Sequence, residues 1–361
     1  MLIVYLIANE RYKTRERERI DESFAWLEKE VEWIVDSQGD QGELYLYGPD
    51  DDGGYVNPYF ACQAVSGILS GDPEDEKLSC AEKYLAWHTA RLIEEDGCIS
   101  NYGVENGSLV ITGEPDSVDA YIGVYLMALA DFANAGGDLS DVGDWQQALN
   151  VCCDTVGRLI DGGVSKVSED NDTEYLMDNC ELCSGCACAA GLLSGVDDTL
   201  AEKYDSYAAQ MREAVATGFY DTDAREYAVI YNTAADTDWS VVYPDAITQI
   251  YPVLMGVAEA DESQKLLYDK LCMALDWQDS GIDAGGFAWP MIPAVAVVFE
   301  DITSAEEYMD YYRSEISPDK GYPLHIGSVG WLVHSAEKLR MYYYAQIDRG
   351  LLANTFDALG R

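Results

Sequence analysis

An all-α fold, an (α/α)6 toroid, is what this sequence predicts, on three observations. About twelve helical segments follow one another, judged from apolar periodicity. They alternate strictly between an amphipathic, charged kind and an apolar kind rich in small residues. No Ser/Gly-rich or Pro-rich linker divides the 361 residues.

A helix with one apolar stripe covers a core, whereas a helix apolar nearly all round lies inside it. Alternation of the two therefore builds six helical hairpins in a ring, the buried member of each pair lining the centre. In chain order, charged Ile20–Val35 precedes apolar Asn57–Leu69, and Glu76–Ile93 precedes Ser117–Ala135. Gly143–Ile160 precedes Glu174–Leu193, and Leu200–Gly218 precedes Asp245–Ala258. Glu262–Trp277 then precedes Phe287–Phe299, and Ser304–Glu315 precedes Ser328–Tyr344. Pro and Gly mark the turns between them. Successive inner helices are spaced irregularly, as expected of hairpins with variable loops rather than a stacked solenoid. One toroid domain is expected over 20–361, with 1–19 as an extension.

That extension opens on the apolar run Met1–Ala8, too short to span a bilayer, followed by Arg11, Lys13, Arg15, Arg17 and Arg19. The order, apolar before basic, is the reverse of a secretory signal. An added strand, a start-site artefact or a membrane-proximal remnant are its readings, and a cytoplasmic location is expected. The formal charge of −44 rests on 66 acidic and 22 basic side chains. Such a surface repels nucleic acid and anionic membranes, so neither is expected as a partner. Proteins of salty cytoplasm carry this composition, and salt screening would then be part of the folding requirement.

Ten cysteines form no secretory disulfide framework in a chain of this length. Cys180, Cys183, Cys186 and Cys188 have metal-loop spacing but fall within a predicted buried helix. Residues three apart share a helix face and those six or eight apart diverge, so four ligands do not converge. Packing is the expected role. A zinc site on Cys180 and Cys183 with His325 is the rival; otherwise no metal and no cofactor is expected.

In a toroid the inner-helix starts face one side, and their residues line one cleft. Carboxylates and aromatics recur there: Tyr55, Asn57, Tyr59, Asp116, Asp119, Tyr121, Asp178, Asn179, Glu181, Asp238, Trp239, Asp245, Trp289 and His325. Carboxylates supply acid and base, and Trp and Tyr faces stack on the C–H faces of sugar rings. A phosphate site would instead want Arg, Lys or Gly-rich backbone, so a carbohydrate is the expected partner. Asp116 and Asp119 double as helix caps, and Asp245 as a first-turn acid. Asp178 and Glu181 lie a turn into their helix, where capping does not account for them and an unpaired buried charge is costly. His88 is expected at the surface of an outer helix, and His334 packed within the last inner one. The acidic runs at 50–52 and 72–76 read as solvated loops.

The segments from Tyr55 to Phe60, Tyr84 to His88, Pro115 to Tyr121, Tyr175 to Glu181 and Val242 to Ala246 resemble the six-hairpin glycosidase-like superfamily. The resemblance runs from about Ile20 to Ala345 by the order of these segments. It implies an enzyme, a glycoside hydrolase cleaving a poly- or oligosaccharide by carboxylate acid/base catalysis with inversion. It puts catalysis on Asp116 or Asp119, with Asp178, Glu181 or Asp245 as partner; Asp119 is the expected member of the pair. Substrate contact would fall on Tyr55, Asn57, Tyr59, Tyr121, Asn179, Asp238, Trp239, Trp289 and His325. The Cys-rich helix departs from the superfamily pattern. A non-catalytic carbohydrate-binding or scaffolding toroid and a polysaccharide lyase are the rival functions. The scarcity of basic residues at inner-helix starts counts against the lyase.

Overall fold

The computed structural model describes residues 2–49, 54–71, 73–280, 287–317 and 323–349. The acidic residues at 50–52 and 72, and the glycine-rich starts at 285–286 and 321–322, lie outside them.

Alternation of apolar and amphipathic segments becomes alternation of inner and outer helices. Outer α1 (Leu2–Phe24) and α2 (Leu27–Val35) lead to inner α3 (Pro58–Ile68), and outer α4 (Asp75–Glu94) to inner α5 (Val118–Asn134). Outer α6 (Trp145–Leu159) leads to inner α7 (Leu176–Leu193), and outer α8 (Asp198–Ala214) to a short inner α9 (Tyr251–Leu254). Outer α10 (Glu262–Ala274) and α11 (Trp277–Ser280) precede inner α12 (Ile292–Val298), and outer α13 (Ile302–Tyr311) precedes the last inner helix, α14 (Ile326–Asp348). On α5 every residue from Val118 to Leu126 is buried, as an inner helix requires.

Small residues let the inner helices approach at backbone distance. A Cβ added at Gly185 would lie 2.4 Å from the Gly123 carbonyl oxygen, and one at Gly123 only 2.6 Å from the Glu181 carbonyl carbon. The same device joins α3 to α14, where a Cβ on Gly67 would meet the Gly330 oxygen at 2.3 Å. These crossings fix the register of α5 against α7, and therefore where the first turns of both helices point.

The second half of the ring is less regular than the sequence predicts. Expected inner helices over Asp245–Ala258 and Phe287–Phe299 shrink to α9 and α12, with a separate π-turn over Val242–Ala246. Pro252 and Pro293 are the second residues of α9 and α12, within the first turn. Proline lacks an N–H and fixes φ, so a helix begins there rather than running through.

Three hairpins were not expected. The longest pairs β1 (Asn101–Glu105) with β2 (Ser108–Gly113) antiparallel; the others are β3 (Ile160–Asp161) with β4 (Val164–Ser165), and β5 (Tyr220–Asp221) with β6 (Glu226–Tyr227). Asn106 and Gly107 turn the first with positive φ at both, the Asn-Gly hairpin signal. Tyr102 on β1 also bridges Val56, bringing Asn101 to the mouth of the ring.

Residues 2–24 form one helix, not a strand, and it runs without a break from the extension into the predicted outer element. It leans on α14 through Arg17 and Asp348 at 2.9 Å. Among the described residues no helix is long and apolar enough to cross a membrane.

His88 corrects the surface reading. It is wholly buried and stacked on Tyr125 at 4.4 Å, with Nδ1 3.0 Å from the Tyr84 hydroxyl. Burial holds its pKa down at about 3, so the ring is neutral. The face of α4 that carries Tyr84 and His88 therefore belongs to the core, where Cys62 Sγ, the Tyr84 hydroxyl and His88 Nδ1 meet. Cys180, Cys183 and Cys186 are buried, and Cys183 donates to the Ala208 carbonyl at 3.3 Å. Among the described residues no three His, Cys, Asp or Glu side chains converge to hold a metal ion.

Candidate active site

The first turns of α5 and α7 lie side by side because of the Gly123–Gly185 crossing, and four carboxyl groups come together there. Asp116 precedes α5 and is exposed, with Ser117 as the N-cap residue. It caps nothing: no hydrogen bond reaches it among the described residues. Asp119, in the first turn, is wholly buried. Asp178, half-buried, and Glu181, buried, are on α7.

Ser117 stands between two of these acids. Its Oγ is 2.8 Å from Asp119 Oδ1 and 2.5 Å from Asp178 Oδ2. A serine hydroxyl has one hydrogen, and two carboxylates need one each. The group of three therefore holds a second proton, on one of the acids. Asp119 receives further hydrogen bonds from the Ala120 N–H at 2.9 Å and from Ser165 Oγ at 2.5 Å. These donors pull against burial, and its pKa settles at about 6, which leaves it ionised at neutral pH. Asp178 is pushed far above the usual carboxylate range by burial, then by the negative charge of Asp119 and, once it ionises, of Glu181, and Ser117 is the side-chain donor opposing them. The extra proton accordingly belongs to Asp178.

Glu181 stands next to this pair. Its Oε1 accepts from the Tyr59 hydroxyl at 2.6 Å and the Tyr251 hydroxyl at 2.8 Å. Burial raises its pKa to about 8 despite the two phenols. None of the four acids has an ion-pair partner among the described residues, so their charge is limited by protonation rather than by cations.

The aromatic floor is built from α3 and α5, with an amide from β1. Asn57 caps α3 by accepting from the Phe60 N–H at 3.1 Å, and its amide donates to the Tyr121 hydroxyl at 3.0 Å. Tyr121 in turn donates to Asn101 at 3.1 Å, and its ring lies 5.6 Å from that of Tyr59. Burial first, then the Asp116 charge, raises the pKa of Tyr121, and half-buried Tyr55 adds a smaller push. On the opposite side Tyr243, in the π-turn, is 57 % exposed and stacks on Trp289 at 5.6 Å and 16°. Burial, then the carboxyls of Asp178, Asp116 and Glu181 once ionised, raises the pKa of the Tyr243 phenol.

Other predicted residues stand apart from this group. Asn179 is wholly buried and its amide is used within the protein, on both backbone groups of Ser165 and on the Tyr175 carbonyl. Asp245 accepts from the Asp238 N–H at 3.1 Å, and Asp238 from Ser240, which folds the loop before the π-turn. Trp239 donates to Glu226 at 3.2 Å beneath Lys270. His325 caps α14 by accepting from the Ser328 N–H, lies against Phe60 at 4.0 Å, and is held neutral by burial, with its pKa lowered to about 4.

Sequence reasoning missed Ser117, Ser165, Asn101, Tyr243 and Tyr251. Ser117 and Tyr243 flank predicted acids in sequence, so proximity offered a signal. Asn101 was marked by the Asn-Gly turn of its hairpin. Nothing in the sequence marks Ser165 or Tyr251, which reach the site from other elements.

The ring matches solved glycosidases. A wild-type glycosidase aligns at 15 % identity over 94 % of this chain and 99 % of its own, with a TM-score of 0.63. A metal-independent alpha mannosidase from Streptococcus pneumoniae, in a non-productive complex with alpha-1,6-mannobiose, aligns at 10 % identity over 92 % of this chain and 98 % of its own, with a TM-score of 0.67. A bacterial glucoamylase complexed with acarbose aligns at 13 % identity over 88 % of this chain and 55 % of its own, with a TM-score of 0.56. No protein-family model and no curated protein sequence matches the chain. At such identities the likeness is one of fold, and the fold is the (α/α)6 toroid.

Proposed function

We propose that the protein hydrolyses glycosidic bonds, with Asp178 as general acid and Asp116 as general base. The observation that carries this reading is the single Ser117 hydroxyl between Asp119 and Asp178, which requires a proton on the pair. A carboxylic acid kept protonated at neutral pH can give that proton to the oxygen of a leaving sugar. As the proton leaves, the Ser117 hydroxyl turns its hydrogen from Asp119 to Asp178 and stabilises the new carboxylate. Asp119 keeps Ala120 and Ser165 as donors throughout. It is thus a positioning residue, tied to its own helix, in place of the catalytic role its sequence position implied.

Asp116 is exposed and, among the described residues, has no hydrogen-bond or ion-pair partner, as suits a base facing water. In an inverting reaction it takes a proton from the water that attacks the anomeric carbon from the opposite face, across roughly 6.5 to 9.5 Å between carboxyls. Glu181, kept neutral by burial, avoids a further negative charge beside the acid. The similarity of the toroid to glycosidases supports the same reading.

Reducing-end release from a glycan panel tests it, with Asp178→Asn and Asp116→Asn alongside the wild type. Release by wild type that both variants lose, with inverted product anomer by NMR, is the expected result. Release that survives in Asp178→Asn overturns the assignment. Saccharide binding without release turns the molecule into the binding toroid.

A further inference from the structure

A polar cavity of about 170 Å³ lies between three inner helices, at the last turns of α3 and α5 and the middle of α14. Asp131 in its wall is twelve residues beyond Asp119 on α5, about 18 Å along the helix at 1.5 Å per residue. The cavity is thus separate from the four acids. Gly71 and Asn134 in its lining are exposed, so solvent reaches it.

The lining has more hydrogen-bond acceptors than donors. Ser70 has one hydroxyl hydrogen, and the Ser66 carbonyl takes it at 3.1 Å. His334 Nδ1, 3.1 Å from Ser70 Oγ, is then the donor in that contact. The imidazole proton is on Nδ1, and Nε2 is left as an acceptor with no partner among the described residues. Burial, and after it the charge of Lys338, lowers the His334 pKa to about 4, so the ring is neutral. Trp331 packs edge-on against the ring at 5.5 Å and 83° and fixes its orientation. Half-buried Asp131 forms no ion pair, with Lys338 or any other cation, among the described residues; burial raises its pKa and the Ser66 hydroxyl opposes the rise. Leu69 and Ala135, the C-cap residues of α3 and α5, also line the cavity, and their carbonyls receive no backbone hydrogen bond among the described residues. Two helix C-termini add their partial negative charge there.

Such a lining fits a positively charged donor of hydrogen bonds. A coordinated metal ion fits it poorly, since among the described residues no three His, Cys, Asp or Glu side chains converge. Size narrows the choice further: a cavity of roughly 150 Å³ admits benzene, so a ligand of about six non-hydrogen atoms can enter.

We propose that this cavity binds the primary ammonium group of a small organic molecule, its N–H bonds shared among the Asp131 carboxylate, His334 Nε2 and the carbonyls that end α3 and α5. The site is independent of the hydrolase reading.

The test is an NMR titration of the whole protein at physiological ionic strength with propylammonium, tetramethylammonium, propanol and propionate. Propylammonium should shift the Ser70, Gly71 and Ala135 amide signals and the His334 ring signals saturably. Tetramethylammonium has the charge without an N–H, and propanol has a donor without the charge. Each should bind at least about tenfold more weakly, and propionate should not bind. Asp131→Asn, which keeps the side-chain shape, should weaken propylammonium about tenfold, and Lys338→Gln should strengthen it about threefold by removing a nearby positive charge. Circular dichroism checks that both variants fold, and the four probes on wild type decide the matter if one does not. Equal binding of tetramethylammonium and propylammonium, or propylammonium binding unaltered in a folded Asp131→Asn, reduces the effect to general attraction of cations and overturns the proposal. Preference for propionate overturns the sign of the site, and preference for potassium ion overturns the ammonium assignment. No saturable shift at these residues overturns it as well.

Discussion

The two halves of the ring place their functional groups by different means. From α3 to α7 the inner helices are long, at 11, 17 and 18 residues, and α5 crosses α7 glycine against glycine. On the far side, α9 has 4 residues and α12 has 7, each with a proline as its second residue, and only α14, at 23 residues, is long. The regular half supplies the carboxyls and the irregular half supplies the Tyr243–Trp289 pair. Acid/base groups need fixed separations, which helix crossings provide. A stacked aromatic pair tolerates more variation, and turns suffice to present it.

Asp178→Asn should give the largest effect, a fall in turnover of about a thousandfold, since a general acid contributes typically 10² to 10⁴. Circular dichroism should show an unchanged fold. Retained turnover would place the chemistry outside the regular half.

Gly185→Ala follows. The added methyl must push α7 off the Gly123 carbonyl, at a cost of about 1–3 kcal/mol. The urea midpoint should fall and turnover should fall with it, because Asp178 moves relative to Ser117. The control is Gly191→Ala on the same helix. Gly191 is exposed with nothing within 4 Å of a Cβ. That change should stabilise the helix by about 0.5–1 kcal/mol. Equal effects of the two would remove the crossing from the argument.

Glu181→Gln tests the neutral acid between the halves, held by Tyr59 of α3 and Tyr251 of α9. Its folded pKa of about 8 exceeds the ordinary 4.5, so the folded state keeps a proton that the unfolded chain loses in that window. Wild-type stability is therefore greatest below about pH 4.5 on this account, and falls as pH rises toward 8. The slope from one such group is at most about 1.4 kcal/mol per pH unit. Glu181→Gln should flatten the unfolding free energy between pH 5 and 8. An unchanged slope would mean that Glu181 is ionised throughout.

Legibility in the sequence followed the same division. The carboxyls at 119, 178 and 181 could be read because a buried helix makes an acid conspicuous, and the one at 116 because it stands just before such a helix. The shrinkage of the two late inner helices was not read, although Pro252 and Pro293 were in view. His88 was misplaced because α4 buries more than one stripe, packing its Tyr84–His88 side into the core.

By itself the sequence determined the toroid, since alternation of apolar and amphipathic helices leaves few other ways to bury both kinds of face. It also determined the sign of the cleft, because 66 acidic residues against 22 basic ones leave few cations to line it. Only the tertiary structure decided which acid keeps a proton. That depends on one hydroxyl between two carboxyls and on donors from β4 and α5, contacts between residues up to 61 positions apart. Protonation is set by distance and burial, and neither is written in residue order.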